Sequence, residues 1–599
     1  MNKRNLINKV KELAGLTKDE KNYLTNIVNY SKEYGLVWEN KPEDVEEELK
    51  TKLPILKEVK KKAIIKDTKK ENYPNHVLIE GDNLHALTTL KFTHEKAIDI
   101  IYIDPPYNTG NKDDFIYNDH YIDKEDTFRH SKWLSFMSKR LEIAKKLLKD
   151  DGVIFCSIGD DEISQLTLLF NEIFTENNKL GIIARVAKTA GDKGKYFAPS
   201  KDYILAYSKN KDILTQFKDT VNENLFKKTE NKGNRKGEKY RDDVAFYQSS
   251  LDTRPNQRYY IKAPDGSFLI PPGNTFPPKK EDGCKAVPQE GDKVWRWADT
   301  TYENSESKEL LVFKKSKQTP LLNEKGEQAE YNIYTKSYLK DRSEKGKSPR
   351  DFLDQFINRK GADFIKQYDI DFSYSKPVEL IEHLIKITNK SKDITVLDFF
   401  AGSGTTLHAT IRLNSEDEGK RKSIITTNNE NKICETVTYP RIERIINSYT
   451  NKKGAKMPFF PNNNVRYFQC DYVERKPSSK NKKELTKLAT ELLCIKEECY
   501  YEITSEINKE KWNRLFTNRK GLYNYIVYDD LHIDIAVKDL TTFIESKENK
   551  PKVKVYVFSN GHYPYTEDFE DIHEYVELCA LPDVIYKAYQ NVLPKISKF

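Results

Sequence analysis

Two strand-and-turn units, separated by residues 108–394, constrain this 599-residue chain more than any other feature. In the first, the apolar run Ile100-Ile101-Tyr102-Ile103 leads directly into Asp104-Pro105-Pro106-Tyr107. In the second, Thr395-Val396-Leu397-Asp398-Phe399-Phe400 leads into Ala401-Gly402-Ser403-Gly404-Thr405-Thr406 and an apolar helical pattern. Around the first unit, predicted strands at 77–79, 98–103, 153–158 and 203–207 alternate with helices, including one over 133–148 with an apolar and a basic face. This alternation indicates a parallel sheet with helices on both sides. Each block is too small for a whole nucleotide-binding sheet, but joined they make one. The later block then supplies the first strand, glycine turn and second strand, and the earlier block the third strand and the strand ending at Asp104. Ligands of such sheets lie beyond the carboxyl ends of the strands, so Gly402, Gly404 and Asp104 are expected around one crevice.

The two prolines lack N–H donors and fix φ, so the chain leaves the strand as a stiff turn with its carbonyls pointing outward. An amino group on a flat base can donate one hydrogen bond to Asp104 and one to the Pro105 carbonyl while Tyr107 stacks on the ring, with Asn108 lining the same pocket. The bland alternative is a strand that ends in a Pro-Pro turn. At the second unit, glycines let the backbone approach a ligand, and the helix N-terminus favours a carboxylate or phosphate. The third glycine of a dinucleotide fingerprint is missing. No Gly-x-x-x-x-Gly-Lys-Ser/Thr occurs, which argues against ATP hydrolysis by this chain.

Together, Asp-Pro-Pro-Tyr and Phe-x-Gly-x-Gly resemble the paired signatures of S-adenosylmethionine-dependent DNA amino-methyltransferases. Their order, catalytic motif first, resembles the circularly permuted beta group of that family. Flanking segments resemble the modification (Mod) subunits of type III restriction-modification systems: Tyr34-Gly35-Leu36-Val37-Trp38-Glu39, Gly81-Asp82-Asn83-Leu84, residues 104–110, Asp151-Gly152-Val153-Ile154-Phe155, Phe372-Ser373-Tyr374-Ser375-Lys376-Pro377 and Thr438-Tyr439-Pro440-Arg441-Ile442. The resemblance spans residues 1–475 and is weak over 210–355. It implies an α/β fold: a circularly permuted Rossmann-like methyltransferase sheet with an inserted target-recognition domain and small terminal domains.

It further implies methyl transfer from S-adenosylmethionine to adenine N6 of a flipped-out base, with Asp104, Pro105, Pro106 and Tyr107 catalytic and no metal required. The alternatives are an orphan or type II methyltransferase acting on adenine N6 or cytosine N4 and, from another class, a DNA specificity subunit without catalysis. Intact Asp104, Tyr107 and Gly402 speak against the latter. For the cofactor, Asp398, Phe399, Phe400, Ala401, Gly402, Ser403, Gly404 and Thr405 are expected at the methionine end, with Lys376 holding its carboxylate. Glu430, or Asn428 in its place, is expected to accept from the ribose hydroxyls. Asp82 either accepts from the cofactor's adenine amino group or is a solvated turn aspartate.

Composition agrees with a cytoplasmic enzyme that faces nucleic acid. Net charge is +8, and 12% of residues are aromatic, with 36 Tyr. The seven cysteines are scattered without Cys-x-x-Cys, which favours buried thiols over zinc ligands or disulfides. No signal peptide or membrane span is read. The expected domains are an N-terminal helical segment at 1–60, methyltransferase parts at 61–210 and 356–475, the target-recognition insert at 211–355 and a C-terminal partner or dimer domain at 484–599 beyond a Lys/Ser-rich linker. In the insert, Lys227, Lys228, Lys232, Arg235, Lys236, Lys239 and Arg241 form a basic run suited to phosphates or a solvated loop, and Tyr259, Tyr260, Trp295 and Trp297 support target recognition. Double-stranded DNA, a second copy of the chain and an ATP-dependent restriction (Res) subunit are the expected partners.

Overall fold

The computed structural model describes residues 43–68, 71–109, 128–189, 196–219, 221–248, 254–561, 565–590 and 592–593, with scattered positions before Glu43. The chain resolves into two compact units, residues 1–216 with 350–599, and residues 217–349.

The larger unit is built on a ten-stranded sheet. Its strands are β1 (Lys52–Glu58), β2 (Asn75–Glu80), β3 (Ile98–Ile103), β4 (Leu148–Ile158), β5 (Lys179–Val186), β6 (Lys201–Ser208), β7 (Phe352–Leu353), β8 (Thr395–Asp398), β9 (Lys422–Thr427) and β10 (Asn464–Glu474). Their spatial order is β1-β10-β2-β9-β8-β3-β4-β6-β5-β7. From β10 to β4 all neighbours run parallel. The antiparallel pairs lie outside this block, β1 on β10 and β6 on both β4 and β5. Strands buried on both faces read as continuous apolar runs, and every position of β3 is buried.

The two halves of the sheet interleave. β8 and β9 enter between β2 and β3, so that Val396 lies opposite Ile100 and Leu397 opposite Ile101, while Ile424 lies opposite Val77. Successive residues face opposite sides. Ile79 joins Phe136, Leu141 and Leu397 in one core, whereas Leu78 joins Leu407, Ile425 and Ile442 in the other.

The helical reading of residues 1–60 needs correction where the structure describes it. Asp44–Thr51 is a helix, but Lys52–Glu58 is β1, with Leu53, Ile55 and Leu56 buried against β10. Pro54 is tolerated because β1 is an edge strand. Most of the earlier helical pattern, including Leu6, Val10 and Val28, lies outside the described residues, as do Tyr34 through Val37, Glu39 and Gly110.

The stretch read as a linker starts a helix at once. The Ser478 hydroxyl caps Ser479–Leu488 by accepting from Asn481 N at 3.1 Å. Beyond it, Tyr501–Glu502, Asn513–Thr517, Tyr523–Val527, Val553–Phe558 and Val576–Leu581 form a second sheet in chain order. This region shares a core with the first sheet through Leu485, Leu492 and Leu493. Lys496 Nζ donates to the Phe92 carbonyl at 3.0 Å and the Tyr589 hydroxyl to the Pro54 carbonyl at 2.9 Å. Among the described residues no helix is long and apolar enough to cross a membrane.

The smaller unit carries a four-stranded sheet in the order Leu311–Lys315, Tyr331–Tyr338, Lys239–Ala245, Lys228–Thr229. The hairpin expected around Pro264-Asp265-Gly266 is present but short, pairing Ile261–Lys262 with Phe268–Leu269. Of the aromatics expected to support target recognition, Tyr259, Tyr260 and Trp295 are buried, and Trp297 packs with Tyr259 and Trp295 around Phe246. Their rings fill this core together with Ile261, Leu269, Leu321 and Ile333. Three cations of the basic run are also paired, Lys228 with Asp242, Arg235 with Asp341 and Arg241 with Asp243. Lys227, Lys232, Lys236 and Lys239 are exposed.

Candidate active site

The chain leaves β3 at Ile103, and the next four residues are held from behind. Buried Trp133, on the helix Arg129–Leu147, donates its indole N–H to the Pro106 carbonyl at 2.8 Å. The Tyr107 ring lies against Gly159, where a Cβ would stand 3.0 Å from Tyr107 Cδ2. The Tyr107 hydroxyl donates to Asp202 Oδ2 at 3.2 Å, and Asp202 is fixed by the buried Arg185 guanidinium, with Nε to Oδ1 at 2.7 Å. Burial, reinforced by Asp104, pushes the Tyr107 phenol well up, so it stays neutral. Asn108 adopts a left-handed backbone at φ 55° and is buried, its amide donating to Glu162, which also accepts from His130 Nδ1 at 2.6 Å. Burial raises the Glu162 carboxyl. The Asn108 side chain therefore braces the turn.

β8, immediately beside β3, ends in the glycine turn. Asp398 is buried, and its carboxylate accepts from the backbone N–H of Phe400 at 2.9 Å and from the Thr406 hydroxyl at 2.5 Å. Burial outweighs both hydrogen bonds and lifts this carboxyl to about 7. Asp398 thus shapes the turn from inside, and the Phe399 and Phe400 side chains belong to the core. The Ala401 N–H donates to the Thr426 carbonyl at 3.0 Å, tying the turn to β9. Gly402 and Gly404 have φ of 48° and 78°, conformations that L side chains rarely adopt. Among the described residues, a Cβ on Gly402 would meet nothing within 4 Å, and no side chain caps the helix Thr405–Asp417 that follows.

Lys376 departs most from its sequence reading. Its ammonium sits on Asp104, at 2.8 Å from Oδ1 and 2.6 Å from Oδ2, and donates to the Tyr107 hydroxyl at 3.1 Å. The other expected residues stand at the ends of β9 and β2. Asn428 directly follows β9, whereas Glu430 is exposed and opens a short 3-10 turn. Asp82 is the N-cap of the helix Asn83–Thr93, accepting from Leu84 N at 2.7 Å, with Arg140 3.6 Å from its second oxygen.

Several residues at the site went unread in the sequence. Arg441 is buried behind the glycine turn. Its NH1 donates to Ser403 Oγ and Thr405 Oγ1 at 2.9 Å each and to Ser375 Oγ at 3.2 Å, while its NH2 has no partner among the described residues. Burial with no carboxylate in contact pulls this guanidinium down to about 9. Asn83 donates to the Phe399 carbonyl at 3.1 Å and is gripped by buried Arg140, which in turn holds Glu43 at 2.8 and 2.9 Å. Arg441 lies in one of the segments that carried the resemblance; Arg185 and Arg140 gave no sequence signal.

A sequence profile described as DNA methylase matches residues 98–309 and 290–439, which include both turns. The chain belongs to the DNA methylase family. Among its curated relatives, the Mod subunit of the type III restriction-modification enzyme EcoP15I from Escherichia coli is 32% identical over 387 residues, 57% of this chain and 57% of that protein. The type II methyltransferase M.KpnI from Klebsiella pneumoniae is 34% identical over 365 residues, 58% of this chain and 79% of its own. This family member therefore spans a little over half the length of the EcoP15I subunit and most of M.KpnI. Among solved structures, the cytosine-N4-specific PvuII DNA methyltransferase aligns with 11% identity and a TM-score of 0.30, over 62% of this chain and 89% of its own.

Proposed function

We propose that this DNA methylase family member transfers a methyl group from S-adenosylmethionine to N6 of adenine in double-stranded DNA, as the modification and recognition subunit of a type III restriction-modification system. The observation that carries the proposal is the pairing of β8 with β3, which sets an Asp-Pro-Pro-Tyr turn beside a glycine turn at the carboxyl edge of one parallel sheet.

The residues present fit the cofactor. Open space at Gly402 among the described residues accommodates its methionine end, and the uncapped N–H groups of the helix Thr405–Asp417 suit its carboxylate. When bound, the cofactor supplies an electrophilic methyl on a sulfonium. Asp104 and the Pro105 carbonyl then accept from the two N–H bonds of the target amine. This favours the tetrahedral nitrogen whose lone pair attacks. The neutral Tyr107 ring, held by Asp202 and Gly159, stacks on the flipped base and offsets part of its unstacking cost. Asp398 and Arg441 hold the turn in shape, and Asn428 or Glu430 accepts from the ribose.

Incubation with genomic DNA and methyl-labelled S-adenosylmethionine, followed by base analysis and modification-aware sequencing, tests the reaction. N6-methyladenine at one short sequence is expected; N4-methylcytosine or no product would refute it. The type III assignment also carries a homodimer and an ATP-dependent restriction subunit as partner, supported by identity to a Mod subunit. Light scattering tests the dimer, and a strictly monomeric, active chain would overturn it.

A further inference from the structure

Lys376 joins the two halves of the site. Its backbone is anchored at the glycine turn: the hydroxyl of Ser375, next in the chain, is 3.1 Å from Ser403 Oγ and 3.3 Å from Thr405 Oγ1, and Arg441 donates to the same hydroxyl. On its other side Gly361 packs so closely that a Cβ there would overlap the Ser375 and Lys376 carbonyls. The side chain leaves this anchor for the tetrapeptide. Its ammonium reaches both oxygens of Asp104 and the Tyr107 hydroxyl, and lies 5.0 Å from the centre of the Tyr107 ring. The pair is largely shielded, with the lysine side chain 11% and the aspartate 22% exposed.

These are the groups that the proposed reaction assigns to the target base: a carboxylate for its amino protons and a ring face for its plane. A primary ammonium donating to Asp104 over Tyr107 fills the place of an exocyclic amine. Both Asp104 oxygens already accept from the ammonium, so an incoming amine must compete with Lys376 for the same carboxylate and the space in front of it. The same ammonium stands on a short tether from the uncapped helix N-terminus, where an anionic ligand group belongs.

Resting on the methyltransferase reading, we propose that Lys376 is a positioning residue that couples cofactor to base. With its ammonium on Asp104 it occupies the base position, and a carboxylate bound at the glycine turn draws it away, freeing Asp104 and Tyr107. Base capture then follows cofactor binding. The arrangement also rejects a flipped base when no methyl donor is present to react with it. Coupling of this kind is reciprocal, so Asp104 must weaken the binding of any carboxylate-bearing ligand that competes for Lys376.

Calorimetry on the full chain tests this without DNA or turnover. S-adenosylhomocysteine is the probe, because its uncharged sulfur removes any direct attraction between Asp104 and a sulfonium. Asp104→Asn is expected to tighten its binding roughly tenfold, the usual scale of such couplings. Lys376→Met is expected to weaken binding, and in that background Asp104→Asn should have no further effect. 5′-Methylthioadenosine, which lacks the amino-acid end, should bind all four proteins alike. Unchanged affinity in Asp104→Asn, or an equal effect of that substitution with and without Lys376, would overturn the coupling while leaving the function intact. Failure of the unaltered chain to bind S-adenosylhomocysteine at all would instead overturn the methyltransferase reading.

Discussion

Replacing Asp398 by asparagine is expected to stabilise the protein, and increasingly so as pH rises. The Asp398 carboxyl is buried and is lifted from 3.8 to about 7. Between those values the folded state keeps a proton that the unfolded chain has released. Stability is therefore lost as pH rises toward 7 and levels off above it. At roughly 1.4 kcal/mol per pH unit, a shift of about three units withholds about 4 kcal/mol from the folded state once the group ionises. Asparagine does not titrate. Its Oδ1 can accept from the Phe400 N–H, and its Nδ2 can donate to the Thr406 hydroxyl, which turns from donor to acceptor, so both contacts at the turn survive. The assay is urea unfolding of both proteins between pH 4 and 8.5. The asparagine protein should gain on the native one by roughly 1.4 kcal/mol per pH unit up to neutrality, then hold a constant lead. A difference that stays flat over the range, or that moves toward aspartate as pH rises, would refute the burial argument.

Asp104→Ala and Tyr107→Ala should each lower methyl transfer by roughly 100-fold or more, the scale for losing one transition-state contact, with the fold and cofactor binding retained; loss of cofactor binding in a folded variant would contradict the assignment. Gly159→Val crowds the Tyr107 ring, since even a Cβ stands 3.0 Å from it, and is expected to raise KM for DNA with little change in cofactor affinity. Gly402→Asp has room for its side chain but sets a negative charge where the cofactor carboxylate belongs; undiminished affinity by calorimetry would remove Gly402 from the site. Neutralising Lys227, Lys232, Lys236 and Lys239 should weaken DNA binding and flatten its salt dependence by up to about 0.9 per lost phosphate contact in a double-logarithmic plot. An unaltered slope would place the DNA contacts elsewhere.

The sheet was readable in the sequence because its central strands are buried on both faces. Residues 100–103 form a solid apolar run, and such runs need no partner to be recognised. The join between the two blocks was readable for a different reason: each block ended in a turn whose chemistry only makes sense beside the other. Roles that depend on a distant partner were not legible. The contact of Lys376 with Asp104, 272 positions away, leaves no local trace, so the sequence points to the cofactor for this residue and not to the tetrapeptide. Tyr259 and Trp295 support a target-recognition domain in the sequence, but sequence shows how large a side chain is, not whether a core holds it, and both are buried. β1 hid among charged helical spacing because its buried stretch, Leu53 to Leu56, is only four residues long and contains Pro54, which an edge strand tolerates.

The interleaving of β8 and β9 between β2 and β3 has a consequence for biosynthesis. On the ribosome β2 and β3 emerge early, but neither can take its final neighbour on the shared side until residues 395–427 have been made. At roughly 5–20 residues per second, the about 290 residues between Ile103 and Thr395 leave the β3 edge open for some 15–60 s, and the β2 edge, which waits for Lys422, stays open longer. Unpaired apolar strands invite adhesion to other chains. Nascent chains of this protein are thus expected to depend on chaperones over that interval. A prematurely terminated product ending before β8 would contain the whole Asp-Pro-Pro-Tyr turn but neither the glycine turn nor the strand that pairs with β3.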